Sequence, residues 1–355
     1  MEYLNNINNQ LSTIDENNIE YFNLFDFPEL FFGTFNFTSS KLDFSNFPPT
    51  YKDEITKYGI DSVHDWNNMN DNSSGNRLRF STSSSKIIFK IKLRRKWPYV
   101  KLLNWNAMGF DVYLLENEKY IHKLVFAPMD GNDTFAEYVH ITPNSELCIF
   151  LPTYDVIEEM YIGIEEGSTL SKVDYPKNNQ LPVIFYGNSI TQGAAASRSG
   201  NIFPNIVSRK LNRDIINLSC SLCCRGDISI AELIGKINCH SIVIDYTRNA
   251  SSAKFLEDTY EKFYERIRDF HPDKKIILMT SSCFNFWRDF EEYDKIVVNV
   301  YKKAIEKGDN TELLYQNKLF DKNEYDYVAI DTSHYTDYGM FKIADELCRL
   351  LDENK

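Results

Sequence analysis

No apolar run in this chain of 355 residues approaches the ~20 residues needed to cross a bilayer. The opening stretch, MEYLNNINNQLSTIDENNIE, has neither a basic first segment nor an apolar one behind it. It does not read as a secretory signal, and with Met1 as the native start the chain is expected in the cytoplasm. Basic charge is also scarce. Lys and Arg number 39 against 51 Asp and Glu, for a formal net charge of -12 and a pI of about 5.1. That balance excludes a nucleic-acid binder, which needs a basic face to displace counterions, and docking on an anionic membrane. Paired cysteine is lacking too. The seven thiols, Cys148, Cys220, Cys223, Cys224, Cys239, Cys283 and Cys348, are odd in number and two are adjacent, which fits a reducing compartment better than a disulfide framework. There is no internal repeat.

What is present is enough apolar residue, 43%, for real cores, and enough length for two domains. Residues 1–75 are polar, Asn-rich and studded with aromatics, and NNMNDNSSGN (67–76) reads as a loop. Strand-like runs follow: RLRFSTS, KIIFKIKLR, FDVYLLE, KYIHKLVFA, ELCIFLP and MYIGIEE, split by polar turns and with no helical period between them. This is the pattern of a β-sandwich, with a jelly-roll-like arrangement expected. The texture changes at SKVDYPKNNQLP (171–182), which divides the chain into an N-terminal β domain over 1–175 and a second domain over 180–355. In the second, strands LPVIFYG, DIINLS, SIVIDY, KIILMT and YDYVAI alternate with helical stretches, closing on DYGMFKIADELCRLLDE. That alternation predicts a parallel sheet wrapped by helices, with ligands bound at the carboxyl ends of the strands.

Three loops at those predicted ends carry unusual polar residues: GNSITQG with Ser189, DYTRNAS with Asn249, and DTSHYTDYG with Asp331 and His334. Serine becomes a nucleophile only when a base takes its proton, and histidine in turn needs a partner to fix its tautomer. With Asp331 three residues before His334, the carboxylate can reach Nδ1 while Nε2 faces Ser189. The oxyanion of a tetrahedral intermediate needs donors, and the Ser189 N–H and the Asn249 amide are the candidates. Singly each piece is bland: a turn, a surface loop, a cap. A phosphate cradle is excluded because no Gly-Lys-Ser/Thr follows the first loop, and a Gly-x-Ser-x-Gly elbow because Thr191 stands at its second glycine.

Taken in order, GNSITQG, Asn249 and DTSH resemble blocks I, III and V of the SGNH (GDSL-type) serine hydrolases, and the longer phrase GNSITQGAAASRSGNIFPNIVSRKLNRDIINLS resembles one subgroup closely. That subgroup carries an N-terminal β-sandwich marked by Gly-x-Asp-Leu-Tyr, and GFDVY (109–113) is similar to it with Val112 for Leu. The resemblance spans about residues 75–352. It implies a flavodoxin-like α/β/α catalytic domain, Ser189 as nucleophile, His334 and Asp331 as base and orienting acid, and Asn249 as an oxyanion donor. It also implies small acyl esters as substrates, most plausibly O-acetyl groups on carbohydrate, with no metal or cofactor needed.

The chain departs from the family in two blocks. Asn188 stands where block I has Asp. Block II is roughly Asn-Leu-Gly-x-Ser-Gly-x-Gly in the family but NLSCSLCC (217–224) here, so the glycine that donates to the oxyanion falls on Leu222. Leucine keeps the N–H but resists positive φ, so a displaced donor or a narrowed acyl pocket is expected. Zinc on Cys220, Cys223 and Cys224 with Cys239 and His240 is a competing reading of that loop, but Cys239 and His240 open the next strand at its other end, and buried thiols are the simpler account. Arg225 and Arg248 flank the site and could recognise an anionic substrate, or pair with surface acids. KIKLRRKW (90–97) reads as a protected strand, and His64, His122, His140, His271 and Trp66, Trp97, Trp105 and Trp287 as structural. The leading function is a serine esterase. An acyltransferase using the same acyl-enzyme and a carbohydrate-binding module without turnover are the alternatives.

Overall fold

The structure, a computed structural model, describes residues 14–34, 44–51, 70–94, 102–128, 132–282, 290–331 and 333–352. His64, Trp66, Trp97, Cys283 and Trp287 lie outside the described residues, as do parts of the 67–76 and 90–97 stretches. The chain forms two compact units: one comprises the described residues of 1–45, 71–175 and 198–200, the other those of 46–70, 176–197 and 201–355.

The first unit is built on strands β1 (Ile19–Asn23), β2 (Phe31–Phe32), β3 (Arg77–Thr82), β4 (Lys86–Arg94), β5 (Phe110–Glu116), β6 (Lys119–Phe126), β7 (Thr134–His140), β8 (Ser145–Phe150), β9 (Val156–Glu165) and β10 (Leu170–Lys172), with one helical turn, α1 (Asn104–Ala107), before β5. They make two antiparallel sheets, β1-β9-β4-β7 and β10-β3-β8-β5-β6, and β2 also pairs with β3. Aromatic contacts join the two sheets. Phe89 on β4 stacks on Phe126 at the end of β6 with centroids 5.5 Å apart, and Phe110 on β5 meets Phe135 on β7 at 6.1 Å. The strand-rich reading holds, but TFAEYVH, now β7, was not among the expected strands. Its buried Glu137 interrupts the apolar alternation that identifies a strand in sequence.

The GFDVY motif lies on β5. Asp111 is fully buried, and its Oδ2 accepts from the Arg198 guanidinium at 2.5 Å and from the Gly200 N–H at 2.9 Å. The Tyr113 hydroxyl accepts from the same guanidinium at 2.7 Å. The motif therefore grips the segment 198–200, and Val112 fills its Leu position within the core.

The second unit contains β11 (Val183–Gly187), α2 (Ser189–Gln192), α3 (Phe203–Leu211), β12 (Ile215–Asn217), α4 (Ile228–Gly235), β13 (Ser241–Asp245), α5 (Ala253–Phe270), β14 (Lys275–Met279), α6 (Glu291–Lys307), β15 (Thr311–Leu314), α7 (Tyr325–Val328) and α8 (Asp337–Leu351). All strand pairs are parallel in the order β12-β11-β13-β14-β15, the flavodoxin-like 2-1-3-4-5 sequence. β11 and β13 are buried on both faces. Val183 and Phe185 join α3 and α8 in one core, while Tyr186, one residue out of phase, stacks on Phe263 of α5 at 4.6 Å.

The fifth strand is not YDYVAI. That segment opens with the turn α7, preceded by a capping box in which the Glu324 carboxylate accepts from the Asp321 N–H at 2.7 Å. The edge strand is TELL, whose four residues with one acid carry too little periodicity to read from sequence. Among the described residues no helix is long and apolar enough to cross a membrane, and no three His, Cys, Asp or Glu side chains gather as metal ligands. Without the guanidinium, the buried Asp111 would keep, among the described residues, only His122 as its ion-pair neighbour, whose Nε2 lies 3.0 Å from Oδ1 and is charged only when protonated. Arg198→Ala is expected to destabilise the protein by about 3 kcal/mol in urea denaturation, while Arg198→Lys recovers part of the loss.

Candidate active site

β11 ends in Gly187 because the chain must turn in contact with its neighbours. A Cβ there would run into the Thr191 side chain and lie 3.0 Å from the Asp245 carbonyl oxygen. Asn188 then caps α2: its Oδ1 accepts from the Ile190 N–H at 2.8 Å. Its Nδ2 donates to the Asp245 carbonyl at 2.7 Å, a bond that an aspartate could not make. Ser189 follows, partly exposed, at the first position of the turn.

The Ser189 hydroxyl lies 2.9 Å from His334 Nε2, and His334 Nδ1 lies 2.8 Å from Asp331 Oδ2. Asp331 Oδ1 accepts from the backbone N–H groups of Ser333 at 2.7 Å and His334 at 2.8 Å. Burial pushes the Asp331 carboxyl up, but the His334 ring and these backbone donors outweigh it and hold the group well below the usual carboxylate range. The loop carrying this pair follows α7 rather than a strand, contrary to expectation. It is closed as a short hairpin, with Ala329 bridging Tyr335 and the Ile330 N–H bonded to the His334 carbonyl at 3.0 Å. The three-residue spacing does the rest, because an aspartate that accepts from the backbone two and three residues on is already turned towards that residue's ring.

The loop after β12 is pinned to the serine turn from several sides. The Cys220 N–H donates to the Gly187 carbonyl at 3.2 Å, and the N–H and hydroxyl of Ser221 donate to Gln192 Oε1 at 2.8 and 2.7 Å. Asn217 donates to the Thr191 carbonyl at 3.0 Å, and Asn46 from the N-terminal region donates to the Ser219 carbonyl at 2.7 Å. Within the loop, Leu222 adopts φ of 63°, the left-handed conformation natural to the glycine it replaces. Arg225 donates to the Leu222 carbonyl at 2.9 Å and so supports that turn. Asn249 Nδ2 donates to the carbonyls of Cys224 at 2.9 Å and Cys220 at 3.3 Å, which brings the loop after β13 to the same place. Arg248 lies over the Phe290 ring, 4.5 Å from its centroid.

Ser189, His334 and Asp331 are therefore in hydrogen-bonding sequence, and Asn249 and Leu222 share one loop cluster beside them. Cys220, Cys223 and Cys224 are buried, and burial raises the Cys224 thiol well above its ordinary value, so it stays protonated. Cys239 and His240 precede β13, at its other end. Sequence reading missed the supports, Asn188, Gln192, Asn217 and Asn46. Only Asn188, at a helix-capping position, carried a signal.

Residues 180–352 match the GDSL-like Lipase/Acylhydrolase family, and residues 21–170 match the GxDLY domain, the N-terminus of SGNH-hydrolase-type esterases. The chain belongs to the SGNH (GDSL-type) hydrolases. The matched family is one of lipases and acylhydrolases, which makes this chain an ester-hydrolysing enzyme. Among solved structures, this SGNH chain is similar to a GDSL-like lipase from Bacteroides ovatus, with 22% identity over 93% of this chain and 96% of that one and a TM-score of 0.76. It is also similar to a salicylyl-acyltransferase from a tetracycline biosynthetic pathway, with 17% identity, 94% of each chain and a TM-score of 0.72. A family two carbohydrate esterase from Cellvibrio japonicus follows at 10% identity over 94% of this chain and 98% of that one, with a TM-score of 0.57. At these identities the likeness is one of fold. No curated protein matches the chain.

The depressed Asp331 carboxyl links the site to stability. A carboxylate whose folded pKa lies below its unfolded value stabilises the fold above the unfolded value and loses that contribution as pH falls through the folded one. Asp331→Asn is thus expected to be less stable than wild type at neutral pH. In urea denaturation the two should converge as pH drops below the ordinary aspartate value of 3.8.

Proposed function

We propose that this protein is a serine esterase acting on small acyl esters, O-acetyl groups on carbohydrate foremost. The observation that carries this reading is the unbroken sequence from the Ser189 hydroxyl through His334 to Asp331, at 2.9 and 2.8 Å. His334 takes the serine proton as Ser189 attacks the ester carbonyl, and returns it to the leaving alcohol. Asp331 fixes the ring so that Nε2 faces the serine, and stabilises the charged imidazolium. Three donors serve the oxyanion, the first two being the Ser189 N–H and the Asn249 amide, whose longer bond to Cys220 at 3.3 Å is the one to be exchanged for substrate. The Leu222 N–H is the third, since φ of 63° gives its peptide the orientation a glycine would take. Water then releases the acyl group. Arg225 bonds the Leu222 carbonyl and Arg248 lies over the Phe290 ring, and these contacts favour a supporting role over substrate recognition.

An acyltransferase reading keeps the same residues and differs only in what resolves the acyl-enzyme. Leu222 favours it, because an apolar side chain stands in the oxyanion loop where the family has glycine and makes that loop less welcoming to water.

Ser189→Ala is expected to lower hydrolysis of p-nitrophenyl acetate and acetylated sugars by about 10⁴-fold or more. An alanine variant with wild-type turnover overturns the reading. Running the wild type with added alcohols or amines separates hydrolysis from transfer by the product formed. Leu222→Gly should cost little stability, because relief of the positive φ offsets the greater freedom of the unfolded chain. It should raise kcat/KM for butyrate relative to acetate by about tenfold if the leucine narrows the pocket, as one methylene in an apolar site is worth about 1–3 kcal/mol. An unchanged ratio places the side chain outside the acyl pocket.

A further inference from the structure

One buried carboxylate in the second unit has no part in the steps above. Asp245 ends β13, is wholly inaccessible to solvent, and lies between the serine turn and the base. We propose that Asp245 is a positioning residue that couples Ser189 to His334: one oxygen accepts from Thr191, two residues after the serine, and the other from Gln316, whose own carbonyl accepts from Tyr335, the neighbour of the base. The three bonds measure 2.7, 2.9 and 2.9 Å, and Thr191, Gln316 and Tyr335 are as deeply buried as Asp245 itself. Gln316 cannot swing away, since its N–H donates to the Thr280 hydroxyl at 3.0 Å and its amide to the Thr280 carbonyl at 2.5 Å. The Asp245 carbonyl also holds the turn directly, through the Asn188 N–H at 3.0 Å and side chain at 2.7 Å. One residue thus fixes both partners of a hydrogen bond on which proton transfer depends. The inference rests on the serine-hydrolase reading above.

The chemistry of the three side chains makes the coupling sensitive to charge. Thr191 and Gln316 both donate, which suits an ionised carboxylate, an acceptor only. A protonated Asp245 would have to donate one bond. The Gln316 amide nitrogen cannot accept, so the Thr191 hydroxyl would have to turn round. The charged or titratable groups facing the carboxylate are Arg248 from its own loop and the Tyr260 hydroxyl from α5. Asn188, Thr191 and Gln316 are neutral. Burial pushes the Asp245 carboxyl up to about 7, against the bonds from Thr191 and Gln316 and the charge of Arg248. The folded protein therefore holds this proton more tightly than the unfolded chain. The carboxylate costs stability as pH rises from the ordinary aspartate value of 3.8 to about 7.

Asparagine at 245 reproduces the protonated arrangement at every pH, accepting from Gln316 and donating to Thr191. Asp245→Asn is therefore expected to match wild-type kcat at about pH 5.5 and to fall behind by about tenfold at about pH 8.5, with KM unchanged and with stability at the higher pH no lower than wild type. A ratio that stays flat with pH, or a loss of stability that accounts for the loss of rate, overturns the proposal. If the asparagine variant does not fold, Tyr335→Phe cuts the same chain beside the base. It should lower kcat and remove the pH-dependent component, and a wild-type profile in that variant overturns the coupling. A third readout separates failure of this inference from failure of the esterase reading. The ¹⁵N shifts of the His334 ring, compared in wild type and Asp245→Asn at about pH 8, need no ester turnover. Displaced shifts support the coupling whether or not an ester is cleaved, and identical shifts refute it.

Discussion

Strands β11 and β13 lie in the middle of a parallel sheet with apolar side chains on both faces, and this burial constrains everything polar in the second unit. Polar groups can leave such strands only at their ends. The strand order reverses at β11, so the loops after β11 and β13 open on the same edge of the sheet, and the β12 loop is drawn there as Ser221 donates to Gln192, Asn217 at its start donates to the Thr191 carbonyl, and Asn249 donates to the Cys224 carbonyl. Nothing in that cluster stands on a single contact. The loop after β12 is held by side chains from three other loops, which is why it can keep Leu222 in a conformation that costs about 1–2 kcal/mol for a residue with a Cβ.

The architecture was legible where periodicity was strong. Both textures, alternating strands and then strand–helix alternation, follow from which faces are buried, and the change between them at 171–182 is a change in the kind of core being built. The errors fall where that signal is weak. TELL is a four-residue edge strand, and TFAEYVH buries a glutamate, so neither shows a clean period of two. YDYVAI looks like a strand by residue type, but the capping box ahead of it starts a helical turn.

In the site, Ser189, Asp331 and His334 could be read because their chemistry demands particular residue types at particular spacings, and the structure brings these three into contact. Their supports could not. Gln192, Asn217 and Asn46 work through long-range bonds to backbone carbonyls or N–H groups, and such partners leave no trace in local sequence. Asn188 is an instructive departure. Beside the carbonyl of a buried aspartate, an amide supplies both an acceptor for the cap and a donor, where a carboxylate would supply two acceptors and a second negative charge.

The pairing of the first unit also bears on its birth at the ribosome. β1, starting at Ile19, pairs with β9 as far as Glu165, and β10, ending at Lys172, lies beside β3. The earliest of these strands to emerge must wait for nearly the last before its edge is covered, so the two sheets cannot be completed until almost half of the chain has been synthesised. Its exposed edges in the interim are those that invite wrong partners, and the wait is set by sequence separation rather than by the strength of any contact. The parallel sheet that follows has no such debt to the N-terminus: each of its strands pairs with another from the same later half.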